Sequence, residues 1–115
     1  YKYIYMEWAI IQDIKHLIKL HDLEEIEKYY IDIIQKKKYN VDIQYIYKEL
    51  ILFSCYHGNK QIIKFFLELY HQFDDISKIA LRQLFFHCKY ILLRQKKDIK
   101  YFEEFLNTIR SGKMT

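Results

Sequence analysis

Proline is absent from these 115 residues, and glycine occurs only at Gly58 and Gly112. An all-β domain needs a turn roughly every eight to twelve residues, ordinarily built on Gly, Pro and Asn. Those signals are missing, so helices joined by short turns are expected. Only two cysteines are present, Cys55 and Cys88. That is too few for a disulfide scaffold and makes a reducing, intracellular compartment the default. Long apolar runs are lacking too: a charged residue interrupts every stretch before the roughly eighteen residues of a membrane span, and there is no signal-peptide pattern. Nor does one sign of charge dominate, since the formal net charge is only +4. Such a mild excess favours solubility and does not by itself argue for nucleic acid. The sequence opens on Tyr1 rather than Met, which reads as a piece of a longer chain.

What is present is apolar and aromatic. Hydrophobic residues make up 51% and aromatics 18%, with 12 Tyr and 8 Phe, a composition that excludes intrinsic disorder. Ile, Lys and Tyr are abundant, as in proteins of AT-rich genomes. Lys28-Tyr29-Tyr30, Lys64-Phe65-Phe66 and Lys100-Tyr101-Phe102 recur at a constant step of 36 positions. Branched residues sit upstream of each copy (Ile26; Ile62-Ile63; Ile99). Ile33-Ile34, Leu69-Tyr70 and Phe105-Leu106 follow downstream. A fixed period with matched flanks is the signature of a repeat.

The periodicity around each copy is helical. Segment 8–20 sets Trp8, Ile11, Ile14, Leu17 and Ile18 on one face. In segment 23–36, Leu23, Ile26, Tyr30, Ile33 and Ile34 point inward and Glu24, Glu25, Glu27 and Lys28 outward. Its acids come first and its lysines last, as the helix dipole favours. The second pair is 43–57 with 60–72. The third spans 76–109, either as 76–95 with 98–109 or as one long helix. Asp22, Asn59, Asp74 or Asp75, and Asp98 are placed as N-caps, and Gly58 is assigned the left-handed position that closes a helix. Residues 62–70 are apolar almost all round and must be buried on several sides. The outer helices read as more polar. The expectation is an all-α domain over residues 1–110, with pairs at about 8–36, 43–72 and 76–109 and a polar tail at 111–115.

Residues 49–67, Glu-Leu-Ile-Leu-Phe-Ser-Cys-Tyr-His-Gly-Asn-Lys-Gln-Ile-Ile-Lys-Phe-Phe-Leu, resemble the ankyrin repeat. Ser54-Cys55 stands at the paired small positions, Gly58 at the inter-helix glycine, Asn59 at the polar residue after it, and Ile62-Ile63 and Phe66-Leu67 at apolar positions of the second helix. Residues 13–31 match in outline, with Asp22 in place of the glycine. The Thr-Pro-Leu-His start is absent from all three copies, and Cys88 aligns with Cys55 only if three extra residues precede Asp98. The chain is similar to the degenerate ankyrin-like proteins of large DNA viruses, including giant viruses and the African swine fever virus multigene families. The resemblance implies a solenoid of about three degenerate repeats in the cytoplasm, host cytoplasm for a viral protein, engaging a host regulatory protein.

The function expected is non-catalytic binding of another protein, with no cofactor and no membrane. Its contacts are expected at the turn tips, His21, Asp22, Tyr56, His57 and Asn59. The alternative is a basic module for nucleic acid or an anionic surface, carried by Lys36, Lys37, Lys38, Lys96 and Lys97 with exposed tyrosines such as Tyr39 and Tyr90 to stack bases. Lysines at helix C-termini also simply complement the dipole. Tyr1, Tyr3, Tyr5 and Trp8 form an aromatic stripe that would pack on a preceding repeat or a partner. Cys55, His57, His87 and Cys88 are zinc-ligand types. Their spacing opposes convergence, because neighbours one or two apart on a helix point roughly 100° or 200° apart. His21-Asp22 matches the dipeptide of metal-dependent phosphohydrolases, but a turn with a capping Asp accounts for it. No nucleophile or phosphate-loop motif occurs, so neither a catalytic residue nor a metal ligand is assigned.

Overall fold

Asp42, Asp74 and Asp22 each turn a carboxylate back onto the backbone three residues on, and each thereby starts a helix. Asp22 accepts from the N–H of Glu25 at 3.2 Å, Asp42 from Tyr45 at 3.1 Å and Asp74 from Ser77 at 2.8 Å. Asn59 does the same through its side-chain oxygen for Ile62, at 3.0 Å. Each cap satisfies a donor that the helix cannot. The bonds from Ser77 also hold the Asp74 carboxyl below its ordinary range. Asp98 sits one residue outside a cap and accepts from Lys100 N at 3.1 Å.

A computed structural model describes the backbone of residues 2–35 and 41–110, and the side chains of 6–33 and 41–110. Among the described residues there are six α-helices and no strand: α1 (Lys2–Lys19), α2 (Leu23–Tyr30), α3 (Ile43–His57), α4 (Lys60–Leu69), α5 (Asp75–Arg94) and α6 (Lys100–Arg110). A π-helical turn, Ile31–Gln35, follows α2, and a 3₁₀ turn, Tyr70–Gln72, follows α4. The third segment is therefore two helices. Lys36, Lys37, Lys38 and Tyr39, the side chains of Tyr1, Tyr3, Tyr5 and Ile34, and the tail at 111–115 lie outside the described residues.

The chain divides into two compact units, Tyr1–Ile63 and Lys64–Thr115. In the first, α1 packs against both α2 and α3. Ile14, Ile18, Ile26, Ile46 and Leu50 are fully buried there. Tyr29 Oη donates to the Asp13 carboxylate at 2.7 Å, and the Asp42 N–H donates to Glu7 Oε2 at 3.0 Å. Ser54 is buried, and its hydroxyl donates to Leu50 O at 2.7 Å. In the second unit α5 packs against α6. Tyr70, Phe85 and Phe105 meet mutually edge to face, with centroids 5.0, 5.6 and 5.0 Å apart. Such pairs contribute about 0.5–1.5 kcal/mol each beyond their burial.

The 36-residue step in the sequence recurs as a burial pattern. Lys28, Lys64 and Lys100 are exposed, Tyr29, Phe65 and Tyr101 are half-buried, and Tyr30, Phe66 and Phe102 are buried. Burial also pushes the Tyr30 phenol well above its ordinary pKa. The helix ends are not in step: the motif closes α2, sits within α4 and opens α6. As expected for α4, Ile62, Ile63, Phe66, Leu67 and Leu69 are all buried, and the exposed stripe runs through Lys60, Gln61, Lys64 and Glu68.

Three expectations are corrected. Gly58 is not left-handed: its φ is −84° and its ψ −178°, ordinary extended backbone. Glycine is needed there because a Cβ would lie 2.7 Å from the carbonyl oxygen of Ser54, the group that already accepts the Gly58 N–H at 2.8 Å. The left-handed residues are His21 (φ 55°) and Lys96 (φ 57°). Each closes its helix with the paired bonds of a Schellman turn: Asp22 N to Leu17 O with His21 N to Ile18 O, and Lys97 N to Leu92 O with Lys96 N to Leu93 O. Second, Trp8 is 57% exposed and not on the inner face. The buried stripe of α1 runs through Ile10, Ile11, Ile14 and Ile18, and Trp8 lies roughly 100° from its centre. Third, α5 is not a polar outer helix, since it exposes Ile76, Ile79, Phe86, Tyr90 and Leu93. Its inner face is served by a separate set, Leu81, Phe85, Cys88 and Leu92.

Replacing Lys96 by Gly relieves a left-handed side chain and is expected to raise unfolding stability by about 1 kcal/mol. Gly58→Ala is expected to lower it by about 1–3 kcal/mol, because backbone blocks the new methyl. Urea unfolding of both variants checks the pair.

Candidate interaction surfaces

Closure of α1 at His21 brings the first two turn tips together. His21 Nε2 lies 3.1 Å from the carbonyl oxygen of His57, so the nitrogen that donates there is protonated. The two residues are 36 positions apart, one repeat step. Of the residues expected at these tips, Asp22 and Asn59 are occupied as helix caps and are half-buried. Tyr56 and His57 are exposed. The His57 ring leans on Phe53, with centroids 4.5 Å apart, and lies 6.3 Å from Tyr56.

Beside these tips is a basic recess that the sequence reading passed over. Gln12, Lys15, His16, Lys19 and Phe53 line a half-open hollow of about 310 Å³. The ammonium groups of Lys15 and Lys19 sit 5.0 and 5.7 Å from the centroid of the Phe53 ring. The sequence signal was the i, i+4 spacing of Lys15 and Lys19, which places both on one face of α1.

Of the expected polyanion contacts, Lys96 is exposed in the α5–α6 turn and Lys97 beside it is half-buried. Lys36, Lys37 and Lys38 lie outside the described residues. The Arg94 guanidinium is 5.7 Å from the Tyr90 ring centroid, and that of Arg110 is 5.7 Å from Phe86.

Among the described residues, half of the ten exposed large hydrophobic side chains lie on the outward face of α5. Ile76 is 83% exposed, Ile79 62%, Phe86 49%, Tyr90 56% and Leu93 49%. With Gln83 they fall at 76, 79, 83, 86, 90 and 93, alternating steps of three and four. That spacing keeps one narrow stripe along a helix. Two overlapping stripes in one segment weaken the periodicity that reveals either, which is why the sequence reading missed this face.

Among the described residues no group of three His, Cys, Asp or Glu side chains is arranged to hold a metal ion, and Cys55 and Cys88 are both fully buried. The His21 ring meets a backbone carbonyl at His57, an arrangement that orients a turn and activates no nucleophile. No described helix is long and apolar enough to cross a membrane. Comparison with family models, curated proteins and solved structures found no match to this chain.

His21→Ala loses the bond to His57 O and keeps the left-handed strain, so a loss of about 0.5–1.5 kcal/mol is expected. His21→Gly loses the same bond but sheds the strain and is expected to be close to neutral. Thermal or urea unfolding of the two variants separates bond from backbone.

Proposed function

We propose that this chain is a non-catalytic helical-hairpin module that binds another protein. The observation that carries the reading is the α5 stripe: five large apolar side chains, each about half exposed or more, on one face of one helix. Isolated exposed apolar residues are ordinary, but contiguous ones mark contact surfaces. Aromatic residues flanked by arginine, as Tyr90 is by Arg94 and Phe86 by Arg110, are the types enriched where binding energy concentrates. The turn tips Tyr56 and His57 offer a second contact region in the first unit, with His21, Asp22 and Asn59 fixing the turns beneath them. The 36-residue recurrence and the likeness of residues 49–67 to the ankyrin repeat support a stacked-hairpin, ankyrin-like solenoid. On that likeness a viral origin and a host regulatory target belong to the same proposal.

A second reading has its own observation. Lys15 and Lys19 over Phe53, and Lys96 with Lys97, give basic, partly aromatic patches suited to phosphates or bases.

Affinity capture from cell lysate at moderate and high salt distinguishes the two. The protein-binding reading predicts a salt-resistant set of proteins that Ile79→Glu removes and Lys15→Glu/Lys19→Glu does not. Retention of nucleic acid, lost at high salt and on Lys15→Glu/Lys19→Glu, would replace it with the polyanion reading.

A further inference from the structure

We infer that the α5 stripe is self-complementary and pairs with α5 of a second copy of this chain in antiparallel orientation. The inference rests on the protein-binding reading of that face and names its occupant. Positions 76, 79, 83, 86, 90 and 93 are the alternating core positions of a helix pair, repeated over the 20 residues of α5. The set is symmetric about its own midpoint. An antiparallel copy sets Ile76 opposite Leu93, Ile79 opposite Tyr90, and Gln83 opposite Phe86, each twice about one two-fold axis. A homodimer interface requires that self-matching.

Charge selects the direction. Asp74 and Asp75 lie at the start of α5, and Arg94, Lys96 and Lys97 at and beyond its end. Antiparallel pairing brings each acidic end to a basic end and opposes the two helix dipoles. Beside the stripe it sets Asp75 near Lys89 of the other copy, an ammonium that also pairs with Glu103 of its own chain at 3.7 Å, at the cost of facing Arg82 with itself and His87 with itself. A parallel pair would stack the basic ends on each other. It would also set Lys89 beside Arg94, two permanent cations of one sign.

The neighbouring helix argues against the other obvious cover, a further hairpin stacked on this one. Stacking in a solenoid covers both helices of a pair. The exposed residues of α6 are Lys100, Glu103, Glu104, Asn107, Thr108 and Arg110, and none is apolar. A cover shaped for α5 alone fits a single apolar helix. A pair of about 30 Å helices is a small interface, so a reversible dimer is expected, forming at roughly 10–100 μM.

Sedimentation equilibrium of the whole chain over that range tests this directly. A dimer whose dissociation constant rises at least tenfold in Ile79→Glu, and is unchanged in Lys64→Glu on another helix, supports the pairing. Orientation is read by oxidising a mixture of Ile79→Cys and Tyr90→Cys chains. Antiparallel pairing predicts the mixed 79–90 disulfide, and like-with-like disulfides would overturn it. A chain that stays monomeric at 100 μM also overturns it. If that monomer still loses its lysate partners on Ile79→Glu, the protein-binding reading survives with a different occupant, whether another protein or a further hairpin. If it loses none, both fail.

Discussion

The edge-to-face packing of Tyr70, Phe85 and Phe105 decides which way α5 turns. With Phe85 committed to that cluster, Leu81, Cys88 and Leu92 follow it inward by helical spacing. Ile76, Ile79, Phe86, Tyr90 and Leu93 then have nowhere to go but out. A helix packed in one hairpin has one inside, and α5 carries enough apolar residues for two. The first set accounts for the local fold. The second lies outside that packing apart from the Arg110 contact on Phe86, and that surplus is what points to binding.

The turns obey a different constraint. In the first unit His21 accepts a left-handed backbone, and from there its ring reaches the carbonyl of His57. That bond ties together two turns one repeat apart, so the residue sits where a glycine would be less strained but could not make the link. Lys96 adopts the same backbone with no hydrogen bond from its side chain described, and it is there that conformational strain can be removed without loss. Gly58, by contrast, is fixed by proximity to Ser54 rather than by torsion.

Helical character and several helix starts were legible in the sequence because both are local. Apolar spacing located α2, α3, α4 and most of α1 but left open whether 76–109 is one helix or two, and Asp22, Asn59 and Asp74 marked three of the starts. The buried sequence of α4 and the recurring Tyr30, Phe66 and Phe102 positions were legible for the same reason. Three things were not. The torsion of a turn depends on how closely two backbones approach, which residue type alone does not encode, so Gly58 was misassigned. Trp8 differs from its neighbours only by its angle on the helix, and a one-face reading blurs angles of that size. The α5 stripe was hidden because its second apolar set fills the gaps of the first. Of the candidate surface, the exposed Tyr56 and His57 could be placed from the turn signals alone, whereas the grouping of Lys15 and Lys19 on Phe53 needed α1 and α3 brought together.

The proposed division of α5 into a face that folds and a face left free to bind is tested most directly by urea unfolding at low micromolar concentration. Ile79→Ser with Leu93→Ser should leave stability within about 1 kcal/mol of the parent, as surface substitutions do. Phe85→Ala should cost about 3–5 kcal/mol through the cavity it leaves in the aromatic cluster. Equal, large losses from both would contradict the account, because the outward residues would then be part of the fold.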